Sequence, residues 1–169
     1  MPNPGMCWRH VVFGPLNSWL PGDARGFRTR DHKLHSSGDY INPPPPDEHA
    51  RLLKYSQNMS DDPVILPNEL REVVGKAVLK KLQEEQTRVL AIAVAGMHVH
   101  CFAELPEDKR VAKAIVGRCK MKSSHAIRSK MPGRVWAGGG GLKRIKTKEY
   151  QRRVYRYILR QRDAWIWSF

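Results

Sequence analysis

The most constraining feature of this sequence is the apolar run Val89-Leu90-Ala91-Ile92-Ala93-Val94-Ala95. Gly96-Met97 follows at once, and then His98-Val99-His100-Cys101-Phe102-Ala103-Glu104-Leu105. Two short β-rich runs around a two-residue turn predict a buried antiparallel hairpin. Amphipathic helices are predicted on either side of it. Upstream, Leu70, Val73, Val74, Ala77, Val78 and Leu82 keep a three-four spacing behind Asn68, a good N-cap, to about residues 83–87. Downstream, Pro106 stops the strand and opens a helix predicted from Glu107 to about Lys130. Its apolar face would carry Val111, Ala114, Ile115, Arg118 and Cys119.

The rest of the chain supplies further strands and a last helix. Cys7 to Phe13 is aromatic and β-branched, Arg134-Val135-Trp136 reads as a short strand, and Leu142 to Ile145 follows four glycines. Thr147 suits the cap of a final helix to about Arg162, with Glu149 in its first turn, and the aromatic tail 164–169 is expected to dock. The order β, α, β, β, α, β, α predicts an α+β, ferredoxin-like sandwich, its antiparallel sheet carrying the His-x-His strand under packed helices. Residues 1–169 are expected to form one domain with an irregular insertion at about 14–62. That stretch holds Pro15, Pro21-Gly22, Ser36-Ser37-Gly38 and Pro43 to Pro46, interleaved with Arg25, Arg28, Arg30, His32, Lys33 and His35.

Charge narrows the function class. The chain carries a net charge of +14, yet 18 basic residues and a single acidic one, Glu149, fall between Lys109 and Arg162. A polyanion is the partner such segregation predicts. The longest apolar stretch is far short of the ~20 residues of a membrane span, so no membrane partner is expected. The first residues lack a basic start and an apolar run, which predicts no secretory leader. Three scattered cysteines, Cys7, Cys101 and Cys119, give no disulfide framework and no C-x-x-C, consistent with a reduced, cytoplasmic protein.

Two constellations carry chemistry. In a strand, His98 and His100 point to the same side about 6.6 Å apart and can converge on one metal ion, while Val99 faces the core. The plain alternative is two strand histidines that are hydrogen-bonded or solvated. On the last helix Tyr157 and Gln161 lie one turn apart, about 6 Å along the axis, so a phenol stands beside a carboxamide. Tyr150 shares that face with Val154, Ile158 and Gln161 but sits about 16 Å from Gln161 along the axis; Tyr155 is about 200° around from Tyr157. Here the alternative is an amphipathic helix whose tyrosines pack in the core.

Taken together, His-hydrophobic-His, a basic helix, Val135-Trp136 and a C-terminal Tyr157-Ile158-Leu159-Arg160-Gln161 resemble the single-tyrosine HUH transposases. That family comprises the insertion-sequence single-strand transposases and the REP-associated tyrosine transposases. The resemblance covers Trp8 to Phe13 and Leu70 to Gln161, and Lys120, Lys122, Ser123, Ser124 and Arg128 resemble its basic helix. REP-associated members typically have Asn-Pro where this chain has Gln161-Arg162, which makes it more similar to the insertion-sequence type there.

The resemblance implies His98, His100 and Gln161 as ligands of Mg²⁺ or Mn²⁺ and Tyr157 as the nucleophile. It implies single-stranded or hairpin DNA as partner, held by Lys113, Arg118, Lys120, Lys122, Ser124, Arg128, Arg153, Arg156 and Arg160, and it admits a homodimer. The implied activity is metal-dependent DNA cleavage and rejoining through a 5′-phosphotyrosine, in a bacterial cytoplasm. Neutral ligands leave the cation's charge to a phosphate oxygen, and Arg153, Arg156 and Arg160 would favour the phenolate, which a free phenol forms only near pH ~10. Two other functions fit the same residues: a domesticated protein that binds hairpin DNA or RNA without cutting, and a water-using metal-dependent nuclease in which Tyr157 is structural.

Overall fold

Strand parity in the central hairpin sets the architecture, seen in a computed structural model that describes residues 1–27, 33–38 and 42–169. Arg28, Arg30 and His32 of the insertion lie outside the described residues. The elements run β1 (Met6–Phe13), α1 (Ala50–Asn58), α2 (Asn68–Glu84), β2 (Val89–Val94), β3 (Val99–Pro106), α3 (Lys109–Ile127), β4 (Gly141–Arg144), α4 (Lys148–Leu159) and β5 (Trp165–Ser168). The chain divides into two compact units, Met1–Pro15 with Ile65–Phe169, and Leu16–Val64. In the first, all strand pairs are antiparallel and the sheet order is β4-β1-β3-β2-β5. Without β5 this is the ferredoxin-like order, as the element sequence predicts.

Because side chains alternate along a strand, the pairing register sorts the sheet into two faces. Val12 pairs with His100, His10 with Phe102 and Trp8 with Glu104; Ala93 also pairs with His100 and Ala91 with Phe102. These residues share one face. There Val154 and Ile158 of α4 close a core with Trp8, Ala91, Ala93, Phe102 and Ile145. The opposite face presents Val11, Ile92, Val94, Val99, Cys101 and Leu105, all buried. Helices α2 and α3 cover it with Val74, Val78, Leu82, Ile115 and Cys119. The three cysteines are free and buried, and burial pushes the Cys119 thiol up to about 12.

Several boundaries differ from the expected ones, each for a local reason. Helix α3 begins after Asp108, whose carboxylate accepts from the backbone N–H groups of Arg110 and Val111. Its buried stripe is Ala112, Ile115, Val116, Cys119, Ser123 and Ile127, which leaves Val111 and Ala114 on the solvent side. On α2, Val73 likewise faces out and Asn68 is the first helical residue, with no side-chain cap. Arg134 to Trp136 is no strand; Trp136 makes only an isolated bridge to Pro15. Its indole instead fills the core, donating from Nε1 to Ser123 Oγ at 3.0 Å and lying edge-on to Phe13 at 4.9 Å.

Two glycines are required where backbone or ring comes close. Gly140 has φ +145°, and a Cβ there would lie 2.8 Å from the Val12 carbonyl oxygen, so this glycine lets the loop join β1 as β4. Lys120 holds the same loop, its ammonium donating to the carbonyls of Ala137, at 3.0 Å, and Gly139. Gly75 on α2 receives the Trp165 ring, where a Cβ would come within 2.1 Å of Cζ3. The docked tail is therefore a fifth strand, β5, paired with β2 and seated on α2. At the far end of β3, Glu104 is fully buried and takes both guanidinium arms of Arg88, at 2.5 and 2.7 Å, together with the Asn3 backbone N–H.

The Leu16–Val64 unit is held by turns and polar contacts. Leu16 and Val64 meet through a backbone hydrogen bond of 2.9 Å, and Asn17 Nδ2 donates to the Asp61 carbonyl. Arg25 pairs with Asp23 and lies over the Trp19 ring at 4.2 Å. Helix α1 forms inside the stretch expected to be irregular. Among the described residues no helix is long and apolar enough to cross a membrane.

Two stability predictions follow from these contacts. Gly75→Ala forces the Trp165 ring off α2 and should cost about 1–3 kcal/mol in urea unfolding. Paired with Trp165→Val, the loss should be clearly less than additive. The Arg88 hydrogen bonds hold the Glu104 carboxyl below the usual carboxylate range. A carboxyl depressed on folding contributes stability above its unfolded pKa of ~4.3, and that stability is lost as the pH falls through the folded value. Glu104→Gln should therefore destabilise at neutral pH by a margin that shrinks steadily below about pH 5.

Candidate active site

The face under α4 gathers three histidines and a tyrosine. His98 stands one residue before β3, held by the hydrogen bond from Ala95 N to its carbonyl, and His100 follows on the strand. Both lie on one side, with ring centroids 4.8 Å apart. Tyr157, on the last turn of α4, sets its ring edge-on to His100 at 5.3 Å and remains 41% exposed, so a large substrate can reach it.

Gln161 reaches the site by a route that the expected helix to Arg162 did not contain. Helix α4 ends at Leu159 with Arg160 as its C-cap, and the Gln161 N–H bonds to the Ile158 carbonyl. The side chain turns back, its Nε2 donating to the Tyr157 carbonyl at 3.2 Å and its Oε1 lying 3.0 Å from His98 Nε2. Amide, imidazole and phenol thus meet within one chain.

A further histidine on this face, His10 of β1, has no counterpart in the sequence motifs. Its Nε2 lies 3.0 Å from His100 Nδ1, with the ring planes 27° apart and the centroids 5.1 Å apart, and it stands 5.9 Å from the Tyr157 ring. Only the alternation Trp8, His10, Val12 hints at it in the sequence. Burial lowers the His100 pKa to about 3, helped by the neighbouring His98 and His10. Burial and then the Lys143 charge bring His10 to about 4. Both imidazoles are neutral at pH 7, the form that ligates metals.

The donors that meet here, two imidazoles and an amide oxygen, are all neutral, so a divalent cation held by them would keep its charge for a phosphate oxygen. Among the described residues no cluster of three His, Cys, Asp or Glu side chains could hold a metal ion. An ion here would take two imidazole nitrogens and one amide oxygen from the protein. The 3.0 Å between His98 Nε2 and Gln161 Oε1 is a hydrogen bond from the imidazole N–H to the amide oxygen, which a bound ion would replace.

The expected nucleic-acid contacts divide between two faces of the sheet. Arg153, Arg156 and Arg160 line a groove on α4 with Glu149, Arg152, Tyr157 and Gln161. Lys113, Arg118, Lys120, Lys122, Ser124 and Arg128 belong to α3 or its C-cap, on the other face. Lys113 and Arg128 are exposed there and Ser124 is half-buried. Arg118 grips Glu85 with two hydrogen bonds of 2.7 Å, Lys122 approaches Glu84 at 3.4 Å, and Lys120 binds the glycine loop. Trp8 and Trp136 are core residues, whereas Trp19 is half exposed.

Comparison with known proteins bears on this site. No curated protein sequence matches the chain. A solved structure of a REP-associated tyrosine transposase bound to a REP hairpin is similar at a TM-score of 0.49 and 15% identity, over 94% of this chain and 67% of that one. The family model described as "Transposase IS200 like" matches residues 61–161, which include His98, His100, Tyr157 and Gln161. That span is more than half of the 169 residues, and the chain belongs to the IS200-like transposase family.

Proposed function

We propose that this protein cleaves and rejoins single-stranded or hairpin DNA through a tyrosine-linked intermediate. The observation that carries the reading is the convergence of His98, His100, Gln161 and Tyr157 on one side of the sheet. The working unit is Met1–Pro15 with Ile65–Phe169, and Leu16–Val64 is an insertion into it. Such an enzyme acts where chromosomal DNA is, in the cytoplasm.

The residues divide the work. His98, His100 and the Gln161 carboxamide oxygen would hold Mg²⁺ or Mn²⁺, which when bound supplies Lewis-acid polarisation of a phosphate oxygen. Tyr157 Oη attacks phosphorus, its proton passes to solvent, and a Tyr157–phosphorus ester forms. The bond from phosphorus to the 3′ oxygen breaks, and that oxygen leaves as a hydroxyl after taking up a proton. A 3′-hydroxyl from a second strand end then attacks the ester and releases Tyr157, so rejoining needs no outside energy source. Arg153, Arg156 and Arg160 hold the flanking phosphates along the groove and favour charge on the phenol oxygen. Lys113 and Arg128 on α3 add a second basic surface for duplex or hairpin backbone.

Hairpin oligonucleotides incubated with Mn²⁺ test the chemistry. Wild type should give a denaturant-resistant protein–DNA species that maps to Tyr157. Tyr157→Phe should abolish it while keeping the fold; Tyr150→Phe and Tyr155→Phe should still form it. His98→Ala should stop cleavage but leave DNA binding within a few fold. Cleavage without an adduct would instead establish a water-using nuclease, and binding without cleavage a non-cutting protein.

Salt titrations test the charge assignment. Neutralising Arg153, Arg156 and Arg160 should flatten the plot of log affinity against log salt by about 0.7 per lost single-strand phosphate contact. Neutralising Arg118 and Lys120, which are engaged within the protein, should change that slope less than the α4 substitutions do.

A further inference from the structure

His10 invites a role beyond packing. Its Nε2 and His100 Nδ1 are 3.0 Å apart, so one ring donates and the other accepts. If His10 donates, His100 keeps its remaining proton on Nε2 and has no lone pair there for a metal. If His100 donates from Nδ1, its Nε2 is bare. The two nitrogens of one imidazole point in diverging directions, so a group bonded at Nδ1 is on the wrong side to share an ion at Nε2. The two ring planes lie within 27° of each other with centroids 5.1 Å apart, so the rings meet edge to edge and the hydrogen bond fixes the rotation of the His100 ring.

We propose that His10 is a positioning residue, whose Nε2 accepts a hydrogen bond from His100 Nδ1 and so holds His100 with a bare Nε2 turned to the metal position. The proposal rests on the metal site assigned above. A metal-ligating histidine is commonly oriented through its other ring nitrogen, and loss of such a partner costs about 10–100-fold in metal affinity. Here a neighbouring strand supplies the partner: β1 delivers His10 through its pairing with β3. A carboxamide at the same position can accept the same bond, because a glutamine oxygen reaches about as far as His Nε2.

The test uses the full chain, with calorimetric Mn²⁺ binding and ¹⁵N NMR of the metal-free imidazoles. Wild type should show His100 protonated on Nδ1. His10→Ala should lose that tautomer preference and bind Mn²⁺ about 10–100-fold more weakly, with circular dichroism confirming the fold. His10→Gln should restore both readouts, which a merely structural role would not require. His98→Ala is the control for the site itself. If wild type binds no Mn²⁺, or His98→Ala binds it as wild type does, the metal reading fails and this proposal with it. If His98→Ala loses binding while His10→Ala keeps wild-type affinity, the positioning role alone is overturned. His100 protonated on Nε2 in wild type would overturn it equally, whatever the variants do.

Discussion

Strand β3 is where the demands of folding and of chemistry meet. It runs through the middle of the sheet with a partner on each side, so its backbone groups are spent on pairing and only its side chains remain to be allocated. The two-residue period does that allocation. Val99, Cys101 and Leu105 are committed to the core under α2 and α3, while His100, Phe102 and Glu104 face α4. A one-residue slip would bury the histidines beneath the wrong helices and turn apolar side chains toward the site. The β1 register, the tail on β2 and the packing of Val154 and Ile158 all hold this single alignment in place.

The two sides of the sheet then do different things. On one side, α4 brings its phenol and the amide beyond its end to the histidines, and its arginines line a groove with both. On the other, much of the positive charge of α3 is internally compensated: Glu85 neutralises Arg118, Glu84 meets Lys122, and loop carbonyls occupy Lys120. Burial and the nearby Arg134 lower the Lys120 pKa. Sequence charge alone overstates how much of that helix is free to meet a polyanion.

What the residues reveal in advance depends on the range of the interaction. The hairpin was legible because β-rich runs around a short turn specify it locally. The histidine pair and the Tyr157–Gln161 spacing were legible for the same reason, one following strand period and the other the helical turn. His10 was not, since its partner is 90 residues away and its neighbourhood exists only once β1 has found its register. Arg134 to Trp136 reads as a strand because aromatic and β-branched residues look alike whether they pair or fill a core. Trp136 fills the core, with Ser123 as its hydrogen-bond partner. Helix α1 was masked by the prolines and glycines around it, and the stripe of α3 was displaced because two adjacent stripes carry apolar residues.

The fifth strand has a consequence for the life of the molecule in solution. Its backbone caps β2, whose sequence Val-Leu-Ala-Ile-Ala-Val has no charge and no proline. Stripped of that cover, β2 would present an open row of N–H and C=O groups along an apolar ribbon, the kind of template on which separate chains stack into aggregates. The last few residues, with Trp165 keyed into the notch at Gly75, thus act as a gatekeeper against self-association. Loss of β5 would first be felt as insolubility, because the ribbon it covers is apolar.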